Sequence, residues 1–154
     1  MLRVTCHVLL KYDPMTQCFS LFDRSLSAGY IKGVFEYYDG LPGDGYASWA
    51  ISNHDVPRAA SRWGGPDPDS ARAKQLNALL ALLPGTVFMY QGEELGLPDA
   101  PIPEDRRVDP AAERGSLMEG RDPSRVPMPW EADRPQAGFT AADDAWLPIT
   151  DSYP

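Results

Sequence analysis

The sequence predicts an α/β fold with a parallel sheet, and three observations predict it. Two short apolar runs, Tyr46 to Ile51 and Thr86 to Tyr90, each end on a cluster of polar residues. Between them lies an Ala- and Leu-rich segment with helical spacing. The order strand, polar tip, helix, strand, polar tip is that of β/α units, in which a crossover helix returns the chain to lay the next strand parallel to the last.

The first 24 residues hold β-type residues (Val4, Val8, Leu9, Leu10, then Phe19, Leu21, Phe22) without a clear period, and residues 1–18 stay unassigned. From Ser25, the spacing of Leu26, Tyr30, Ile31, Val34, Phe35 and Tyr38 follows one face of an amphipathic helix, with Ser25 as the expected cap. "DGLPGDG" ends it. Tyr46 to Ile51 is apolar on consecutive positions, as a strand covered on both faces requires. Ser52, Asn53, His54 and Asp55 then stand past its carboxyl end. After "GGPDPD" a second helix is expected from Ser70 to Leu83, with Leu76, Leu79, Leu80 and Leu83 on one stripe, until Pro84 and Gly85 break it. "TVFMYQGEELG" repeats the pattern, bringing Gln91, Glu93 and Glu94 to the end of the second strand. From Ser25 to Leu97 the chain thus reads as β/α units. Residues 98–154 differ, holding ten of the 16 prolines and no helical or strand period. A long ordered loop or linker is expected there rather than a second core, with Trp130, Phe139 and Trp146 suited to an arm that packs on something.

Composition limits the function. At 154 residues the chain is the size of one ordinary domain or part of one. A net charge of -8, with the acids scattered, argues against nucleic acid or an anionic membrane as partner and favours a neutral or cationic one. Cys6 and Cys18 are the only cysteines, and neither lies in a cluster with metal-ligand spacing, so two reduced thiols and no metal are expected. No run approaches the roughly 20 apolar residues that span a bilayer. "MLRVTCHVLLKYDP" lacks a small-residue cleavage site, so a cytoplasmic location is expected.

In parallel α/β folds the functional side chains stand at the carboxyl ends of the strands, where a rigid scaffold meets variable loops. Asn53, His54 and Asp55 occupy that place after one strand, and Gln91, Glu93 and Glu94 after the next. For Asp55 spacing alone leaves a second reading open: it could cap a helix beginning near Val56, with Pro57 in the first turn.

The residues at these tips carry a resemblance. "SWAISNHDVPRAASRWG" resembles the strand-seven motif of the α-amylase superfamily (glycoside hydrolase family 13). "PGTVFMYQGEELGLPD" resembles the strand-eight segment of its α-glucosidase and oligo-1,6-glucosidase branch, and "GRDPSRVPMPWEADRPQAGFT" the stretch that follows it. The three occur in family order over roughly residues 19–149. The resemblance implies that residues 19–97 are the C-terminal part of a (β/α)8 (TIM) barrel, strands seven and eight with flanking helices, followed by a long Pro-rich arm. It implies an α-glucoside or an α-linked glucose oligosaccharide as substrate and no cofactor. By it Asp55 is the transition-state stabiliser, accepting sugar hydroxyls, His54 hydrogen-bonds the same sugar, and Arg58 supports substrate binding. Asn53, Glu93 and Arg121 are weaker candidates. A carboxylate whose hydrogen bonds tighten as the sugar distorts toward an oxocarbenium ion lowers the barrier.

The family pattern also has gaps here. A retaining glycosidase uses two further carboxylates about 5–5.5 Å apart, one nucleophile and one acid/base. In this family the nucleophile lies in a Gly-x-Arg-x-Asp motif on strand four and the acid ends strand five, and the sequence contains neither motif. "RRVDP" places Asp109 two residues after Arg107, but in the Pro-rich segment and without a strand before it. Glu93, by its strand-eight context, is expected to brace loop backbone rather than protonate a leaving group. A short or truncated form is therefore expected. An open piece of barrel exposes strand edges, so a homo-oligomer or a complementary fragment is expected as partner. The alternative is a non-catalytic remnant that binds glucose units weakly or only self-associates.

Overall fold

A computed structural model describes residues 17–18, 27–39, 48–64, 70–110 and 120–149. The expected cap Ser25, the "DGLPGDG" turn and most of residues 1–18 lie outside the described residues. A three-stranded parallel sheet is formed by β1 (Gln17–Cys18), β2 (Ser48–Trp49) and β3 (Thr86–Val87) in the order β1-β2-β3. The register sets Ser48 beside Gln17 on one side and Thr86 on the other. The helices are α1 (Ala28–Asp39), α2 (Ala59–Gly64) and α3 (Ser70–Ala81).

The two apolar runs are therefore adjacent and parallel; Tyr46 and Ala47 lie outside the described residues, and among those described each run contributes two residues to a ladder that stops before Ile51 and Tyr90. The reason is local. Phe88 N–H still donates to Trp49 O at 2.8 Å, after which side chains take over the backbone groups: Arg62 Nη2 donates to Ile51 O, and Tyr90 N–H donates to Glu93 Oε2 at 2.9 Å. β2 and the two residues after it are buried throughout, as a doubly covered strand should be. β3 is not, for Thr86 is exposed and Val87 half-buried.

Helix α1 starts at Ala28, with Tyr30 N–H donating to Ser27 Oγ at 3.1 Å, so a serine two residues beyond the expected one makes the capping bond. Helix α3 buries Ala73, Leu76, Leu80 and the following Leu83, while Leu82 points to solvent. Its last turn tightens, with Leu82 N–H shared between Ala78 O and Leu79 O, before Pro84 and Gly85 (φ 122°) end it. The core joins Val34 of α1, Trp49 and Ile51 at β2, Ala59 of α2, and Leu76, Leu80 and Leu83. Trp49 is its centre: its ring meets Phe35 edge-on at 5.6 Å, and its indole N–H donates to Pro84 O at 2.7 Å.

Among the described residues, the segment after β3 is ordered by three 3₁₀ turns, Glu104–Arg106, Asp122–Ser124 and Pro135–Gly138. It has a small apolar cluster of its own, Ala100, Ile102, Val126 and Leu147, which corrects the expectation that this stretch holds no second core. Proline-rich composition hid it, because Val126 and Leu147 lie far in sequence from Ala100 and Ile102. No helix among the described residues is long and apolar enough to cross a membrane.

Candidate functional site

The carboxyl ends of β2 and β3 carry two layers of polar residues, one buried and one open. In the buried layer Arg58 (2% exposed) lies under the strand tips, with Nη1 donating to Gln91 O at 2.7 Å and its guanidinium 4.9 Å from the Tyr90 ring centre. Its backbone N–H donates to Asp99 Oδ1 at 2.9 Å, and Ala59 N–H donates to Ser52 Oγ at 2.9 Å, so α2 is capped from β2 and from beyond β3. Burial lowers the Arg58 pKa and brings that of Arg62 down to about 10, while burial raises those of Glu93 and Asp99. Two cations and two carboxylates thus share one desolvated space, each stabilising the other's charge. Arg58 is not placed to meet a sugar from this position; it ties the two strand tips together. The Glu93 carboxylate accepts from Tyr90 N–H at 2.9 Å, and its carbonyl accepts from Asn77 Nδ2 at 2.7 Å. Gly92, at φ +92°, leaves room for this arrangement: a Cβ there would lie 2.7 Å from both Arg58 Nη1 and Leu97 Cδ1.

The open layer centres on Asp55. It caps no helix, because α2 begins at Ala59 with the caps just described. Instead, Asn53 Oδ1 accepts from Asp55 N–H at 2.8 Å, an Asx turn that stands His54 and Asp55 up at the strand end. The Asp55 carboxylate is half exposed, and His54 Nε2 lies 3.3 Å from its Oδ2. Arg121 Nη1 and Arg125 Nη2 both donate to Oδ1 at 3.0 Å, and Arg125 Nε donates to His54 O at 2.8 Å. The Arg121 hydrogen bond is the largest of the influences that hold the Asp55 carboxyl below the ordinary aspartate value, aided by the charges of His54, Arg121 and Arg125 against a desolvation cost. Such a carboxylate stays ionised and accepts hydrogen bonds; it is a poor general acid.

Arg121 is itself held from behind. Its Nε and Nη2 donate to the two oxygens of Asp109, each at 2.9 Å, and its backbone N–H donates to Asp109 Oδ2 at 2.7 Å. The Asp109 side chain is fully buried, and its own backbone N–H, with that of Val108, donates to Asp122 Oδ2 at 2.9 and 2.8 Å. Asp109 therefore faces Arg121 and not an open cleft.

The structure brings together Asn53, His54, Asp55 and Arg121, and it separates them from the buried Arg58 and Glu93. Sequence reasoning missed Arg125, Asp99 and Asp122. The signal for Arg125 was present in "GRDPSR": two arginines four apart around an Asp-Pro pair, which favours a tight turn and sets both forks toward one anion. Among the described residues, no group of three or more His, Cys, Asp or Glu is arranged to hold a metal ion.

The Asn-His-Asp tip of a parallel sheet is thus gripped by arginines of the segment that follows β3. The chain belongs to the α-amylase family: "Alpha amylase, catalytic domain" matches residues 16–154. It is 37% identical to Maltase A1 of Drosophila melanogaster over 151 residues, which is 96% of this chain and 25% of that protein. It is 46% identical to a probable alpha-glucosidase of Rhizobium meliloti (strain 1021) over 112 residues, 71% of this chain and 20% of that one. Among solved structures, the alpha-glucosyl transfer enzyme XgtA superposes with a TM-score of 0.80 at 40% identity, covering 89% of this chain and 25% of that one. This chain therefore spans about a quarter of the length of the proteins it matches. Similarity over 96% of the chain also takes in part of residues 1–18, which carried no resemblance by motif.

Proposed function

We propose that this chain supplies the transition-state-stabilising end of an α-glucoside-hydrolysing site. Asp55 accepts hydroxyls of a distorted glucosyl unit, with His54 as a second sugar contact. In this reading β2 and β3 correspond to strands seven and eight of the family's barrel, residues 19–97 form the barrel part, and residues 98–154 form an arm that completes the site. Arg121 acts from the arm, and Arg58 and Glu93 position the strand tips from below. The observation that carries the reading is the ionised, half-exposed Asp55 carboxylate at the end of β2, held at one oxygen by two arginines. Fixed dipoles and charges around a group that must accept hydrogen bonds in the transition state are what electrostatic catalysis requires.

The same chain lacks the Gly-x-Arg-x-Asp nucleophile motif and the strand-five acid, which favours a second reading, a domain that binds glucose units without turning them over. General acid/base assistance alone is worth roughly 10² to 10⁴ in rate, so the 154-residue chain by itself should show at most trace turnover. The test compares the wild-type chain with Asp55→Asn, both purified from a host without α-glucosidase, on nitrophenyl α-glucoside and in a glucose-oligomer binding titration. Weak binding abolished by Asp55→Asn is expected. Binding that is indifferent to Asp55 would refute the assignment, and robust turnover abolished by the substitution would refute the second reading.

A further inference from the structure

We propose that Asp109 is a positioning residue for Asp55, acting through Arg121. The inference deepens the reading of Asp55 as the sugar-facing carboxylate, but it concerns a residue that never meets the sugar.

The geometry is a chain of four side chains ordered from the interior outward. Asp122 is 2% exposed and fixes the backbone N–H groups of Val108 and Asp109. Asp109, with a fully buried carboxylate, takes Arg121 in a two-point grip at 2.9 Å on each oxygen and accepts from the Arg121 backbone N–H at 2.7 Å. Arg121 spends Nε and Nη2 on this grip and turns Nη1 outward to Asp55 Oδ1 at 3.0 Å. A guanidinium is planar, so fixing two of its nitrogens fixes the direction of the third. Without Asp109 the Arg121 side chain, 39% exposed, would have rotamer freedom and solvent to compete for it.

Arg125 does not substitute for this arrangement. It reaches the same Oδ1 at 3.0 Å and also His54 O at 2.8 Å, but the hydrogen bonds of its guanidinium found among the described residues all go to the open layer itself. Arg121 is the member of the pair that is anchored to the buried arm. Burial of Asp109 beside one cation is costly unless the pair is fully hydrogen-bonded, and here both carboxylate oxygens are engaged. Such a pair specifies orientation more than it adds stability.

The readouts need neither sugar nor turnover, so they stand or fall separately from the proposed function. In the wild-type chain, Arg121 Nε–H exchange with solvent, followed by NMR, should be at least about tenfold slower than that of exposed Arg107, the order expected of charge-assisted hydrogen bonds. In Asp109→Asn that protection should be lost, and the Asp55 carboxyl, titrated by carbon NMR, should move up toward the ordinary aspartate value. Asp109→Glu, which restores the charge, should recover part of both. Asp144→Asn, which removes the surface partner of Arg106, is the control and should change neither. An Asp109 that only stabilised the arm would leave the Asp55 titration unchanged in the folded variant, and that result overturns the proposal. Should Asp109→Asn not fold, wild-type Arg121 exchange as fast as that of Arg107 overturns it equally.

Discussion

Asp55 and Glu93 lie on neighbouring strand tips and titrate in opposite senses, which makes pH a probe of each. The Asp55 pKa is lowered from 3.8, chiefly by the Arg121 hydrogen bond. The unfolded chain then holds the proton more tightly than the folded one, so this group's contribution to stability is present above 3.8 and is lost as pH falls through the folded value. Glu93 is raised from 4.5 by burial, so the folded chain takes up the proton first. Its ionisation opposes folding above 4.5, and stability is recovered as pH falls through the folded value toward that point. In urea titrations against pH, wild type should therefore lead Asp55→Asn above 3.8 and lose that lead in stronger acid. The lead should be small and shrink in salt, since the carboxylate is half exposed. For Glu93→Gln, measured against wild type, the difference should shift in the variant's favour as pH rises above 4.5. Matching pH slopes for the two variants would contradict this assignment of charges.

At the scale of elements, the tight joint is where the loop after β3 passes over α2. Gly92 has φ +92° and no room for a Cβ, with Arg58 Nη1 and Leu97 Cδ1 each 2.7 Å from where it would sit. Gly92→Ala should cost about 1–3 kcal/mol through combined backbone strain and overpacking, read from the urea midpoint, and should loosen Arg58 from Gln91 O. Leu80→Ala, at a position with no exposure, should cost more, about 2–5 kcal/mol. A cost below about 0.5 kcal/mol at either site would mean that the core relaxes around it. These elements were legible to different degrees for physical reasons. Periodicity located α1 and α3 because their inward faces, Tyr30 and Val34 in one and Ala73, Leu76 and Leu80 in the other, recur every three or four residues. It located both strand cores but carried them too far at the carboxyl ends, since it cannot see that Arg62 and Glu93 take the backbone groups a ladder would use. The capping serine of α1 was missed by two positions because Ser25 and Ser27 are chemically equal candidates. His54 and Asp55 were legible from motif and strand-end position. Their partners Arg121 and Arg125 sit 66 and 70 residues from Asp55 and flank the Asp122–Ser124 3₁₀ turn, which carries no helical or strand period.

For the molecule as a whole, β3 is the instructive boundary. It pairs with β2 on one side, and among the described residues no strand pairs with its other edge. Thr86 is exposed there, with Leu82 at 83% and Met89 at 49% exposure before and after it, and none of the usual edge protection by lysine or proline falls within Thr86 to Tyr90. Such an edge offers unpaired backbone beside apolar side chains, the combination that recruits another strand. Opposing it is the net charge of -8, which keeps copies apart most effectively when salt is low. The two effects differ in range: repulsion is screened over about 8–10 Å at moderate salt, whereas strand pairing and apolar contact act only on touching surfaces. The 154-residue chain should therefore associate into a dimer or larger assembly, and more so as salt is raised from about 0.01 M to 0.15 M, where the Debye length falls from roughly 30 Å to 8 Å. Met89→Lys, which places a charge on the exposed edge without touching the core, should shift the assembly toward monomer while leaving the thermal midpoint at low concentration nearly unchanged. Light scattering over a wide concentration range measures this directly. A steady mass of 17.0 kDa at both salt levels would show that the β3 edge is covered by the chain itself and that no second copy is required.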